Sequence, residues 1–368
     1  MNYKTLLKMT IAAALLPAMS VSATPVDDSF YPYNESTPNY PGLTPGMTLT
    51  ADNIGQFPGV IDSEMAAAIA AGDVQIKVGK TTSFDLHPNY VKATRENTGN
   101  VKLGEQVGEI NGWVAGRPFV NEPAKDDPRA GEKLAWNYKY GYNWGDNAAI
   151  YPFYWKYRNM ESGAIERTLK FNFHFLNYQG RVNQQPLPNI EPNPSNLYRS
   201  IYVQVLAPYD VKNTQLLIQR NADDLKRDNA WLYLGFQRRV RRLATGQVTD
   251  AFLGSDIMIE DFEGYNGRVS DMKWNYIETK NVLLPFYNHN DMELDTETHN
   301  DSDGYQVAAF SGKGGCYPDV EWQLRKAYVV EAVPLDSNHP MSKRVFYMDA
   351  QTFTIPRTNI YDRAGNLW

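Results

Sequence analysis

Apolar and polar positions alternate most cleanly over residues 168–178. Leu169, Phe171, Phe173 and Phe175 fall on one face of an extended chain, and Lys170, Asn172 and His174 on the other. Residues 150–158, 200–207, 215–219 and 231–240 carry strand-like apolar and aromatic runs, so each is expected as a strand. Turn signals at 221–224 and 227–229 separate them. Residues 322–333 and 343–348 read as a hairpin-like pair across a 334–340 loop, continued by 351–355 and 359–361. The pattern is that of a meandering antiparallel sheet with a broad surface, not of a catalytic pocket.

Upstream the pattern differs. Residues 62–71 (DSEMAAAIAA) are led by acids, filled with alanine and closed by Gly72, which predicts a short helix. Residues 84–97 predict a turn and a short helix, and 126–140 a second helix with Pro128 near its first turn. Residues 24–60, rich in Pro, Tyr, Asn and Thr, are expected to be an extended arm, with one domain over 61–368. Residues 113–123 read as loop, 257–263 and 268–276 as short helical pieces, and 288–304 as an acidic loop. No fixed-period repeat is present.

The first 23 residues have the form of a secretory signal. Lys4 and Lys8 precede an apolar run at 9–19, and Val21-Ser22-Ala23 is a small-residue cleavage site, so Thr24 is the expected mature start. The run is shorter than the ~20 residues that span a bilayer, which disfavours an uncleaved anchor. A net charge of −6 argues against a nucleic-acid footprint. Cys316 is the only cysteine, so an intrachain disulfide is excluded and stability must come from burial.

Candidate chemistry is sparse. The acidic loop offers His289, Asp291, Glu293, Asp295, His299, Asp301 and Asp303, but the position where a calcium loop needs a bidentate acid is Phe310. The five histidines lack zinc-ligand spacing, and His174 is expected on the solvent side. Ser311 lacks the first glycine of a nucleophile elbow. No metal site, catalytic residue or cofactor is therefore expected. Arg238, Arg239, Arg241 and Arg242 form a basic cluster that can pair with Asp256, Glu260 and Asp261. Alternatively Arg239 and Arg241 form a rim that meets lipid headgroups. Phe171, Phe173, Trp231 and Tyr233 are candidates for an apolar ligand-facing wall, with plain core as the other reading.

Several segments occur in an order that resembles a known family. They are DLHPNYVKATREN, WVAGRPF, DDPRAGEKLAWNYKY, RRVRR, FLGSDIMIEDF, YVVEA, KRVFYMDAQTF and YDRAGNLW, running from Asp85 to Trp368. Together they resemble the domain of unknown function 1329 family, within the outer-membrane lipoprotein-sorting superfamily. The resemblance implies a mainly β (α+β) fold: a strongly curved antiparallel half-barrel whose open side is plugged by short helices. It implies a non-catalytic periplasmic carrier or adaptor for a hydrophobic, lipid-like molecule. The implied partners are a resistance-nodulation-division-type transporter and an outer-membrane protein. Family members continue with further sheet beyond the segment Gly365-Asn366-Leu367-Trp368, so a missing terminal strand pair is expected; Cys316 has no counterpart in the pattern. The alternative is a structural protein that docks a transporter or barrel without a ligand. A dry, ligand-sized cavity would favour the carrier and a filled concavity the docking protein.

Overall fold

The computed structural model describes residues 24–34, 36–243, 249–287, 294–295 and 307–368. The expected signal and most of the acidic loop lie outside them. Four α-helices are short: α1 (Pro25–Phe30), α2 (Ser63–Ala70), α3 (Pro88–Asn97) and α4 (Ala130–Lys139). Side chains at their starts satisfy free N–H groups: Thr24 caps α1, Asp62 caps α2 and His87 Nδ1 accepts from Asn89 in α3.

Twelve strands build two six-stranded sheets, neither closed into a barrel. The class is mainly β with short helices, as the residue pattern and the resemblance implied. Strands β1 (Thr48–Leu49) and β2 (Ile76–Gly79) come first. A meander follows: β3 (Asn147–Arg158), β4 (Ile165–Asn177), β5 (Leu197–Ala207), β6 (Gln215–Asn221), β7 (Asn229–Leu234) and β8 (Arg239–Arg242). Each of its strands pairs antiparallel with the next, which leaves β3 and β8 as edges.

The second sheet is centred on β10 (Glu321–Pro334). It also holds β9 (Met272–Leu284), β11 (Met341–Asp349) and β12 (Arg357–Asp362). Strand β9 runs antiparallel along one side of β10. On the other side, the start of β10 takes β2 in parallel and its later residues take β11 antiparallel. Helix α4 packs on this sheet through Trp136 and Leu134, against Trp274, Val330 and Phe346. The approach is close: a Cβ on Gly131 would stand 2.7 Å from the Trp274 carbonyl oxygen, so only glycine fits.

Four expectations need correction. Residues 231–240 are not one strand: β7 and β8 form a hairpin turned at 235–238. Residues 24–60 are not a free extended arm. They carry α1 and β1, and Phe30, Leu49 and Val60 are fully buried. The backbone is pinned by distant side chains: the Phe30 carbonyl accepts from Gln351 Nε2 at 2.9 Å, and Arg117 donates to Ser29. Residues 272–276 are strand, preceded only by a 3-10 turn at Val269–Asp271. Residues 351–355 are a turn, in which Gln351 and Thr352 donate to the buried Asp349.

The sheets meet across two consecutive 3-10 turns, Phe252–Gly254 and Ile259–Gly264. Phe252, Ile259 and Phe262 pack on the meander. Glu260 and Asp261, from the second turn, bind Arg344 of β11. Burying a guanidinium is costly unless it is paired, and Arg325 likewise pairs with Asp349 at 2.8 Å in full burial.

Candidate functional site

The meander register separates the four aromatic residues expected to share a wall. Opposed residues share a face. One face runs Phe173, Val203, Leu216, Leu232, Arg241; the other runs His174, Tyr202, Leu217, Trp231, Arg242. Phe171 and Phe173 lie on the first face and are buried, at 1% and 8% exposure. Trp231 and Tyr233 lie half-buried on the opposite face. The four therefore do not line one surface. The Phe171–Phe173 face is also covered, because Phe262 stands 6.0 Å from Phe173 and the covering turns fill the concavity. His174 is half-exposed beside Tyr202.

The basic cluster does not pair with the acids proposed for it. Glu260 and Asp261 are taken by Arg344, and Glu260 also by His339 at 2.8 Å. Arg241 donates to Gln237 and Arg242 to Asn229 on their own hairpin. Arg239 and Arg241 are exposed on the edge strand β8, at the far side of the sheet from β3. Ser311 donates to Asp319. Among the described residues no cluster of three His, Cys, Asp or Glu side chains gathers as a metal site.

A groove of about 800 Å³ runs along the free edge of β3. That volume lies in the usual range of small-molecule sites, roughly 300–1,000 Å³. Residues 152–158 supply one side, and the others come from Ser255–Ile257, Ala308, Phe310 and Gly315–Cys316. The walls are mostly apolar. Phe153 and Trp155 also pack inward on Phe171, with ring centres at 6.0 and 5.3 Å. Trp155 further meets Phe252 and Phe262 of the covering turns, at 5.7 and 5.9 Å. The groove and the filled concavity thus share a partition. Tyr157 donates to the Leu253 carbonyl at 3.2 Å, and burial raises its phenol pKa above the usual value.

The outer part of the groove is wetter and still apolar. Met160, Ile257 and Phe310 are exposed at 55%, 39% and 42%. Cys316 is exposed, with its sulfur 3.5 Å from the Met160 sulfur. Sequence reading placed β3 correctly but did not select its side chains. The available signal was the run Tyr151-Pro152-Phe153-Tyr154-Trp155-Lys156-Tyr157, whose aromatics fall on both faces of one strand. A strand buried on one face only would not need them.

A smaller cavity of about 140 Å³ lies beneath α4 and is lined by Tyr138, Arg199, Arg220 and Glu263. Its size is below that of a ligand site. Arg199 pairs with Glu263 at 3.4 Å and Arg220 with Asp228 at 3.1 Å.

The family model described as "Protein of unknown function (DUF1329)" matches residues 48–368. This chain belongs to the DUF1329 family. An uncharacterized protein of Pseudomonas aeruginosa is 24% identical over 343 residues, covering 89% of this chain and 69% of its own. The DUF1329 chain is similar to a solved DUF1329 protein from Desulfovibrio piger, at 17% identity and a TM-score of 0.43, with 66% of this chain and 76% of that one covered. It is also similar to a putative outer membrane lipoprotein-sorting protein domain from Vibrio parahaemolyticus, at 18% identity and a TM-score of 0.42, covering 66% and 75%. A LolA superfamily protein from Nitrosomonas europaea gives 10% identity and a TM-score of 0.29, covering 60% and 66%.

Proposed function

We propose that this DUF1329 protein is a non-catalytic, exported binding protein that holds a hydrophobic, lipid-like molecule in the groove along β3. The observation that carries this reading is a ligand-sized, mainly apolar groove walled by Trp155, Met160, Ile257 and Phe310. Its work is that of a periplasmic carrier or adaptor, handing the molecule to an envelope lipid transporter of the resistance-nodulation-division type and to an outer-membrane protein. Among the described residues no helix is long and apolar enough to cross a membrane. An acyl chain that buries roughly 300 Å² at ~25 cal/mol per Å² gains about 7.5 kcal/mol before the cost of association. Specific polar contacts are not required for that gain.

The filled concavity of the meander counts for the competing reading, a docking protein without a ligand, which would add a partner strand at β8 or at the free edge of β3; the β3 edge is the one that bounds the groove. That edge is poorly suited to strand addition. Pro152 has no N–H to give, and the ladder to β4 shifts register between Ile150 and Phe153 and again between Tyr157 and Arg158. These are devices that block pairing, and they leave the side-chain groove available to a small molecule.

Ile257→Glu tests the site. Ile257 is partly exposed, so folding is expected to survive, with a melting shift of at most about 2 °C. Affinity for the neutral probe N-phenyl-1-naphthylamine is expected to fall at least tenfold, as a carboxylate enters an apolar wall. Probe binding as tight as wild type in the variant, or no probe binding by the wild type, would sink the proposal.

A further inference from the structure

We propose that Arg158 makes this groove selective for amphiphiles with an anionic end group, a carboxylate or a phosphate. The inference rests on the groove's being a lipid-binding site and adds the chemistry of the ligand's polar end.

Arg158 is the last residue of β3, half-buried, and lines the groove. Its guanidinium carbon lies 5.6 Å from the centroid of the Phe310 ring. Nη1 donates to the Gly163 carbonyl at 3.1 Å. No carboxylate among the described residues pairs with it. Other sequestered arginines are treated differently. Arg199, Arg220, Arg325, Arg344 and Arg357 each hold a carboxylate. Arg117, buried and without a carboxylate among the described residues, and Arg181 spread their donors over side-chain oxygens and several carbonyls. Arg158, half-buried in the groove wall, makes one carbonyl bond and one ring contact.

Gly315 leaves room for this guanidinium. Gly315 has φ +58°, and a Cβ there would stand 2.8 Å from Arg158 Nη1. A side chain at 315 would displace the guanidinium from its place. The other charged groups of the groove are Lys156, Glu166 and Asp256. Glu166 accepts from Asn159 at 3.1 Å, and Asp256 is exposed. Neither acid reaches Arg158. A planar, weakly hydrated guanidinium matches a carboxylate or phosphate oxygen pair, and the match strengthens where water is partly excluded.

The test displaces N-phenyl-1-naphthylamine at pH 8 with oleate, 1-oleoyl lysophosphatidate and oleyl alcohol. The proteins are wild type, Arg158→Gln and Arg158→Lys, with melting temperatures recorded for each. Arg158→Gln is expected to weaken oleate and lysophosphatidate at least tenfold and oleyl alcohol less than twofold, and Arg158→Lys is expected to fall between. For wild type, added salt is expected to weaken both anions and leave the alcohol unchanged, a readout that holds even if a variant misfolds. The tighter wild-type anion tells a free fatty acid from a lipid phosphate. Equal losses for oleate and oleyl alcohol in Arg158→Gln, or no loss for either anion, overturn the role of Arg158. Failure of all three compounds to displace the probe from wild type overturns the lipid groove itself.

Discussion

Glu260, beside Asp261, ties the covering turn to β11. Its Oε2 accepts from Arg344 Nη2 at 2.9 Å and lies 2.8 Å from His339 Nε2, with Glu260 only 3% exposed. Burial opposes its ionisation, but the hydrogen bonds and charges of His339 and Arg344 outweigh burial and hold its pKa below the ordinary value. A depressed folded pKa stabilises above the unfolded pKa of about 4.5 and loses that stabilisation as pH falls through the folded value. Glu260→Gln should therefore lower stability at pH 7 by roughly 2 kcal/mol, and the gap to wild type should narrow below about pH 4.5. Urea midpoints at pH 7 and at acid pH measure it; a gap that is constant with pH contradicts the assignment. This cluster was not legible in the sequence. The dense arginines of β8 look like the natural partners of the 256–261 acids, yet Arg344, one residue in an alternating strand, reaches them because β11 passes beneath the turn.

At the scale of elements, strict alternation was readable and broken alternation was not. Strand β4 places Leu169, Phe171, Phe173 and Phe175 inward, as its pattern requires. Strand β9 was missed because its register shifts between Tyr276 and Glu278 and the four residues after the shift, Glu278 to Asn281, are all polar, so alternation breaks off halfway. Which face of β7 meets which face of β4 depends on three intervening ladders, which no local pattern reports. The register now sets distinct expectations for residues that looked equivalent. Phe171→Ala removes a fully buried ring and should cost roughly 3–5 kcal/mol. Trp231→Ala empties a half-exposed position on the other face and should cost no more than about 1.5 kcal/mol. Chemical denaturation of both variants separates them; similar costs would mean that the two residues share a face after all.

At the scale of the molecule, the ordered segments from Asp85 to Trp368 pointed to the family, and the family model covers 48–368. Long-range closure was hidden. Arg325 is enclosed by the Tyr33, Phe84 and Phe286 rings, with centroids at 4.7, 5.1 and 4.6 Å, from three distant parts of the chain. The groove was hidden for the same reason, since β3, the 255–257 turn and the 308–316 segment meet only in the fold. Its occupation by a hydrophobic molecule is the central claim, and Cys316 reports on it directly, as an exposed thiol in the groove and the only cysteine of the chain. The measurement is the rate at which a maleimide modifies wild-type Cys316 as oleyl alcohol is added. The account predicts a saturable slowing of at least tenfold, with a midpoint at the concentration that displaces N-phenyl-1-naphthylamine. A rate that stays constant while the probe is displaced would place the hydrophobic site elsewhere and contradict the account.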